Sequence, residues 1–219
     1  KTDKEAQKRG TSIYFPAKVI PMLPEDLSNG ICSLKPNEDR CAMICEMSLG
    51  RDGKRGKYKF YSGLIKSKAR LTYNQVEKHL QGSSKIELSQ ARDSINDLNE
   101  LTNLRLIHRN KRKALEINPK EISLELNKNK EVKNILVKKS LFAHRLVEES
   151  MLLANESAAE FMQDRLNLGV YRVHEDPDAS KLELLKKHFH IPAQISKKLS
   201  PLEVINSCLL QANKKNDDI

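Results

Sequence analysis

Few residues in this sequence have types and spacing that bear on chemistry. Glu148 and Glu149 are adjacent, and they interrupt a stretch in which Leu141, Leu146, Val147, Met151, Leu152, Ala154, Ala158 and Phe161 nearly surround a helix. Adjacent helical positions point about 100° apart, so the two carboxylates cannot face the same way. One must turn inward or towards a ligand, where an unpaired charge is costly. The alternative is a pair of rim charges held by Arg145 or lysines, contributing little. Tyr14 is the second candidate. It lies in a segment from Arg9 to Arg40 punctuated by Pro16, Pro21, Pro24 and Pro36 and by Ile13, Phe15, Val19, Ile20, Met22, Leu23, Leu27 and Leu34. Prolines fix φ and remove donors, which predicts a rigid, packed connector rather than a polar linker. Such a loop presents Tyr14, or else Tyr14 is a core residue with a satisfied hydroxyl.

Metal and nucleophile chemistry is poorly supported. Of Cys32, Cys41, Cys45 and Cys208, only Cys41 and Cys45 are close, with no second pair at zinc-site spacing. Cys41, Met43, Cys45, Met47 and Leu49 alternate, so the two cysteines read as small apolar residues on one strand face. No disulfide framework is visible, and a reducing cytoplasm is the simplest location. The close Asp pairs are Asp176/Asp178, at a helix start, and Asp217/Asp218, in a polar tail. His174 stands alone and reads as structural.

The chain has 219 residues, enough for one large domain. With 38% hydrophobic and 31% charged residues, its apolar content is thin for that length. The net charge of +10 favours polyanionic partners, nucleic acid first, although a merely basic protein has the same balance. No run approaches the roughly 20 apolar residues of a membrane span, and no signal peptide is visible.

The elements that must position these residues make an α+β fold, a mixed sheet with a β-hairpin and several long helices. Residues 1–8 read as a fraying end. Strands over 41–49 and 57–66 flank a basic loop, 50–56. Arg51, Lys54, Arg55 and Lys57 there could touch phosphate; a solvated hairpin tip is the simpler reading. Apolar residues on both faces of 57–66 place that strand inside a larger sheet. Thr72 caps a short helix, 73–80. A long helix over 87–113 follows, with Ile95, Leu98, Leu101, Leu104 (or Leu106) and Ile107 as its apolar stripe and its charges as a solvated face without chemistry. One or two short strands are expected in 115–126, a helix over 140–166 ended by Gly169, a strand over 170–174, and helices from 178 to 188 and 199 to 212.

Three runs carry a resemblance. They are Arg9 through Arg40, Lys59-Phe60-Tyr61-Ser62-Gly63-Leu64-Ile65 onward to Val76, and Arg145-Leu146-Val147-Glu148-Glu149-Ser150-Met151 onward to Phe161. The chain resembles the RNB catalytic domain of the bacterial ribonuclease II and ribonuclease R family, nearest the ribonuclease R branch, well from Lys4 to about Arg172 and loosely beyond. The resemblance implies processive 3′-to-5′ hydrolysis of single-stranded RNA to nucleoside monophosphates, assisted by Mg2+. It implies that Tyr14 stacks on the 3′-terminal nucleotide, that Tyr73 contacts the RNA path, and that Glu148 fixes the terminal ribose. The family's second stacking aromatic falls near Ile117, a departure that leaves a base without a π face there. The family's upstream Asp cluster and downstream Ser-Pro-x-Arg-Arg-Tyr-x-Asp segment are not among these 219 residues. The expectation is therefore a partial RNB catalytic domain over 1–219 with RNA-binding residues and no metal ligands, inactive alone and prone to self-association through exposed sheet. The other reading is a non-catalytic RNA-binding or scaffold protein of the same descent.

Overall fold

The computed structural model describes residues 1–87, 89–112, 114–115, 121–138, 140–173, 175–192, 194 and 199–215. Helix α1 (Thr2–Arg9) occupies the segment expected to fray, braced by an Arg9–Glu5 ion pair of 2.9 Å. The proline-rich connector holds a small hairpin, β1 (Ile13–Phe15) and β2 (Lys18–Ile20), with Tyr14 opposite Val19. Two ties fix it: Arg9 donates to the Pro21 carbonyl at 2.7 Å, and the Met22 N–H donates to Ser12 Oγ at 2.9 Å. A single π-helical turn, Asp26–Ile31, follows.

Strands β3 (Asp39–Leu49) and β4 (Arg55–Lys66) form a long antiparallel ribbon, pairing Cys41 with Leu64 and Cys45 with Phe60. The inward-facing set changes parity between Ile44 and Cys45. Cys41 and Met43 are exposed, whereas Cys45, Met47 and Leu49 are half-buried, so the two cysteines do not share one environment. Phe60, opposite Cys45, packs on Phe161 of the helix over 142–166, which covers that half of the ribbon. A third ribbon joins β5 (Glu121–Leu126) to β6 (Val132–Lys138). The α+β class is as expected. Its strands, however, make three separate two-stranded antiparallel ribbons among the described residues, not one mixed sheet. Each ribbon joins strands consecutive in sequence, and a short connection permits only antiparallel pairing. The parallel contact that remains is an isolated bridge, Pro36 to Ser67.

Helix α2 (Tyr73–Leu80) starts at a capping box: Thr72 Oγ1 accepts from the Gln75 N–H at 3.3 Å, and Gln75 Oε1 accepts from the Thr72 N–H at 2.8 Å. With α3 (Ser89–Lys111) and α4 (Phe142–Leu166) it builds the main core, in which Val76, Ala143 and Leu146 are buried against Leu71, Leu80, Ile95 and Leu98. Helices α5 (Ala179–His188) and α6 (Pro201–Lys215) bury a second cluster, Phe189, Val204, Cys208 and Ala212. Helix α4 ends at Asn167, which takes the left-handed conformation (φ 46°) expected of Gly169. The strand expected over 170–174 does not form at 170–173, where Val170 and Val173 face solvent without a ladder partner among the described residues. His174 and the Asp217/Asp218 pair lie outside the described residues.

Candidate nucleic-acid interface

Two helical stripes meet between α3 and α4, and both turn from apolar to charged at the same level. On α3 the inward positions run Ile95, Leu98, Thr102, Arg105, Arg109. On α4 the buried positions run Ala143, Leu146, Glu149, Leu153, Ser157. Spacings of three and four residues keep each set on one face. Thr102 satisfies its hydroxyl on the Leu98 carbonyl (2.8 Å) and Ser157 on the Leu153 carbonyl (2.8 Å), so neither leaves a polar group unpaired.

The charged level pairs arginines with glutamates, with Arg105 Nη2 left buried without a hydrogen-bond partner among the described residues. Glu149 is 0% exposed and Arg105 2% exposed. Arg105 Nε lies 3.3 Å from Glu149 Oε2, and Arg109 Nη1 lies 2.7 Å from Glu149 Oε1. The same Arg109 nitrogen donates to Glu148 Oε1 at 3.1 Å, and Arg145 donates to Glu148 Oε2 at 3.0 Å. Arg105 also reaches Glu156 at 3.7 Å and donates to the Gly53 carbonyl at 3.0 Å. Three arginines thus face three glutamates, and every carboxylate oxygen of Glu148 and Glu149 meets a guanidinium. Burial works to raise the pKa of Glu148, but hydrogen bonds and charge from Arg109 and Arg145 outweigh it and hold the carboxyl below its ordinary value. Hydrogen bonding to Glu149, then to Glu148, raises Arg109 further above its own.

Of the adjacent glutamates, one does turn inward: it is Glu149, held by two arginines. Glu148 stays 42% exposed with a defined orientation. The charges of α3, expected to form a solvated face, include these buried arginines. Their signal was available in the spacing, because Arg105 and Arg109 continue the Ile95–Leu98 stripe whereas Ile107 points to solvent.

Tyr73, the first residue of α2, reaches the same region. Its ring stacks on His144 with centroids 4.1 Å apart and planes 24° apart. The contact is fixed from both sides. Glu77 on α2 accepts the Ala143 N–H at 2.9 Å, satisfying a first-turn donor of α4, and His144 Nδ1 accepts the Leu141 N–H at 3.0 Å. Glu148 is four residues beyond His144, one turn along the same face. His144, which composition and spacing gave no reason to select, stacks on Tyr73 and lies one helical turn from Glu148. Tyr14 is presented rather than buried, at 77% exposure. No hydrogen bond or ring contact among the described residues joins it to Tyr73 or Glu148. Ile117 lies outside the described residues.

The 50–56 loop is not a free tip. Gly53 is buried against α3, and the Gly53 carbonyl is the Arg105 partner noted above. Arg55 pairs with Glu160 and lies 4.7 Å over the Tyr58 ring, and Phe60 packs 5.2 Å from Phe161, so β4 is docked on α4. Arg51, Lys54 and Lys57 remain exposed. Among the described residues no three His, Cys, Asp or Glu side chains converge to hold a metal ion. No helix of the described residues is long and apolar enough to cross a membrane.

Comparison with known proteins agrees with this architecture. The chain is 40% identical over 183 residues to ribonuclease R of Escherichia coli (strain K12), covering 82% of this chain and 22% of that protein. It is 41% identical over 204 residues to ribonuclease R of Thermotoga maritima, covering 91% of this chain and 29% of the relative. The structure of Mycoplasma genitalium RNase R in complex with ribose-methylated single-stranded RNA superposes with a TM-score of 0.87 at 30% identity, over 97% of this chain and 34% of that one. The chain thus spans less than a third of the length of either of these curated relatives. The RNB domain model matches residues 1–218, and the chain belongs to the RNB domain family.

Proposed function

We propose that this chain is the nucleotide-holding part of a 3′-to-5′ exoribonuclease that degrades single-stranded RNA to nucleoside monophosphates, and that it does not hydrolyse RNA by itself. The observation that carries the reading is the juxtaposition on α2 and α4 of an aromatic stack, Tyr73 on His144, with the ionised and partly exposed Glu148 one turn away. A base stacks on an aromatic face whatever its identity, at about 1–3 kcal/mol, which suits an enzyme that moves along any sequence. A carboxylate accepts hydrogen bonds and donates none, so beside that stack it selects sugar hydroxyls and repels phosphate. The RNA held by the M. genitalium relative supports the same substrate class. The net charge of +10 supplies attraction for the RNA backbone. Magnesium and its Asp ligands belong to the whole enzyme in this reading, and Tyr14 completes the clamp there.

The test is titration of labelled single-stranded RNA by fluorescence anisotropy at low and high salt, beside incubation with magnesium. Affinity should fall steeply with salt, because phosphate contacts release counterions. Tyr14→Ala should cost less than the roughly 1–3 kcal/mol of a fully engaged stack, since no hydrogen bond or ring contact among the described residues couples Tyr14 to Glu148. No mononucleotides should appear. Salt-insensitive binding would remove the RNA-holding role; magnesium-dependent release that co-purifies with the chain would show that it carries its own hydrolytic site.

A further inference from the structure

Glu148 is set in place by groups that the carboxylate itself does not name. Its Oε1 is held by Arg109 of α3 and its Oε2 by Arg145 of its own helix. Arg145 is three residues away on the same helix and stays with Glu148 wherever α4 goes. Arg109 comes from a different helix, and its Nη1 is fixed in turn by the wholly buried Glu149 at 2.7 Å. Glu149 is anchored by Arg105, and Arg105 by the Gly53 carbonyl at the ribbon end. One guanidinium nitrogen thus bridges a buried carboxylate to an exposed one. The exposed one inherits the rigidity of the core.

We propose that Arg109 is a positioning residue for sugar recognition: by bridging Glu149 to Glu148 it holds Glu148 in the single orientation from which its free lone pairs meet ribose hydroxyls. The inference rests on the reading of Glu148 as the sugar contact. It goes further in assigning the discrimination between ribose and 2′-deoxyribose to a residue that touches neither. An ionised carboxylate has about four acceptor sites, and the two arginines occupy two of them. The remaining two are fixed in direction only while both guanidinium groups are in place. Without Arg109, Glu148 can rotate about its side-chain torsions with Arg145, and its lone pairs no longer converge on one sugar position. The charged and titratable groups near Glu148 are Arg109 from α3, Arg145, Glu149 and, one turn away, His144 from α4, and Tyr73 of α2 stacked on His144. Removing the Arg109 charge leaves Glu149 with Arg105 alone and Glu148 with Arg145 alone.

The experiment compares binding of a labelled oligoadenylate with that of its counterpart carrying 2′-deoxy sugars at the 3′ end, for the 219-residue chain and for Glu148→Gln, Arg109→Gln, Arg109→Lys and the double variant Glu148→Gln/Arg109→Gln. Carbon-detected NMR of the glutamate carboxyls follows Glu148 through a pH titration. The parent should prefer ribose about fivefold, the scale of one net hydrogen bond. Arg109→Gln should reduce the preference to that of Glu148→Gln and move the Glu148 titration to higher pH. Arg109→Lys, which keeps the charge, should recover much of both. The double variant should be no worse than either single one, because coupled residues are not additive. Each glutamate keeps one arginine in Arg109→Gln, so the fold survives, and Arg109→Lys decides the matter if it does not. Retained preference in Arg109→Gln while Glu148→Gln loses it overturns the positioning role alone. Equal loss of affinity for both oligonucleotides also overturns it. A parent without preference overturns the sugar contact and this inference together.

Discussion

Glu149 and Glu148 differ by one position and by almost everything else. Glu149 lies wholly inside, between Arg105 and Arg109. Replacing it by Gln keeps the shape, removes the charge and leaves the buried Arg105 with the Gly53 carbonyl and, as its remaining carboxylate among the described residues, Glu156 at 3.7 Å. Breaking a buried pair costs about 3–5 kcal/mol, because the surviving charge is stranded. Glu149→Gln should lose that much in urea unfolding, whereas Glu148→Gln, at 42% exposure, should lose less than about 1 kcal/mol. Similar losses for both would mean that Glu149 is not buried as described. The acid side of the stability curve gives a second test of Glu148. The Glu148 carboxyl is lowered from its ordinary 4.5, so it stabilises the fold at pH above that value, and the stabilisation disappears as pH falls through the folded pKa. The Glu148→Gln chain should therefore show a shallower loss of stability below about pH 4.5 than the parent.

Elements in this chain are positioned by a small number of close approaches. Gly53 makes one. Its φ is +78°, and a Cβ there would lie 2.4 Å from the Leu104 carbonyl oxygen and 2.9 Å from His108 Cβ. Gly82 has a similar φ of +73° with open space around it. Gly53→Ala should cost about 2–4 kcal/mol, left-handed strain plus overpacking, and Gly82→Ala only about 1–2 kcal/mol of strain. Equal effects in denaturant titration would show that the ribbon end is not seated on α3. Local chemistry made the best of the elements legible. Thr72 and Gln75 announce α2, Asp178 announces α5, and the apolar surround of 142–166 announces α4. What stayed hidden was pairing between distant segments. Strand β6 becomes a strand only by lying against β5, and 170–173 fails to become one for want of a partner. Arg105 and Arg109 look like solvent charges until Glu149 and Glu148 are set opposite them. A periodicity that counts only apolar residues cannot see a stripe that ends in arginines. Glu148 was legible as half of a suspicious pair, and the sugar role proposed for it came from resemblance alone.

At the scale of the whole molecule, the burial is concentrated in two helical clusters and the ribbons stand at the edge of them. On β5–β6 the register sets Ile122 beside Val137 and Leu124 beside Ile135, four exposed apolar residues on one face. Met43 and Leu64 are exposed on the β3–β4 ribbon as well. A two-stranded ribbon with open edges and an apolar face is a template for another copy, since unpaired backbone and uncovered side chains are satisfied together when two ribbons meet. The positive net charge of +10 opposes close approach of two copies, so salt, which weakens RNA binding, should promote association. Sedimentation velocity over a concentration series should show a monomer–dimer equilibrium that shifts towards dimer as salt rises. Ile135→Lys adds a charge at the centre of the apolar face, at a position 67% exposed, and should return the chain to monomer without lowering its unfolding midpoint. A single monomeric species throughout, or a dimer indifferent to Ile135→Lys, would place the contact elsewhere or remove it. Dimer formation that weakens with salt would instead show that opposite charges, rather than the ribbon face, hold the copies together.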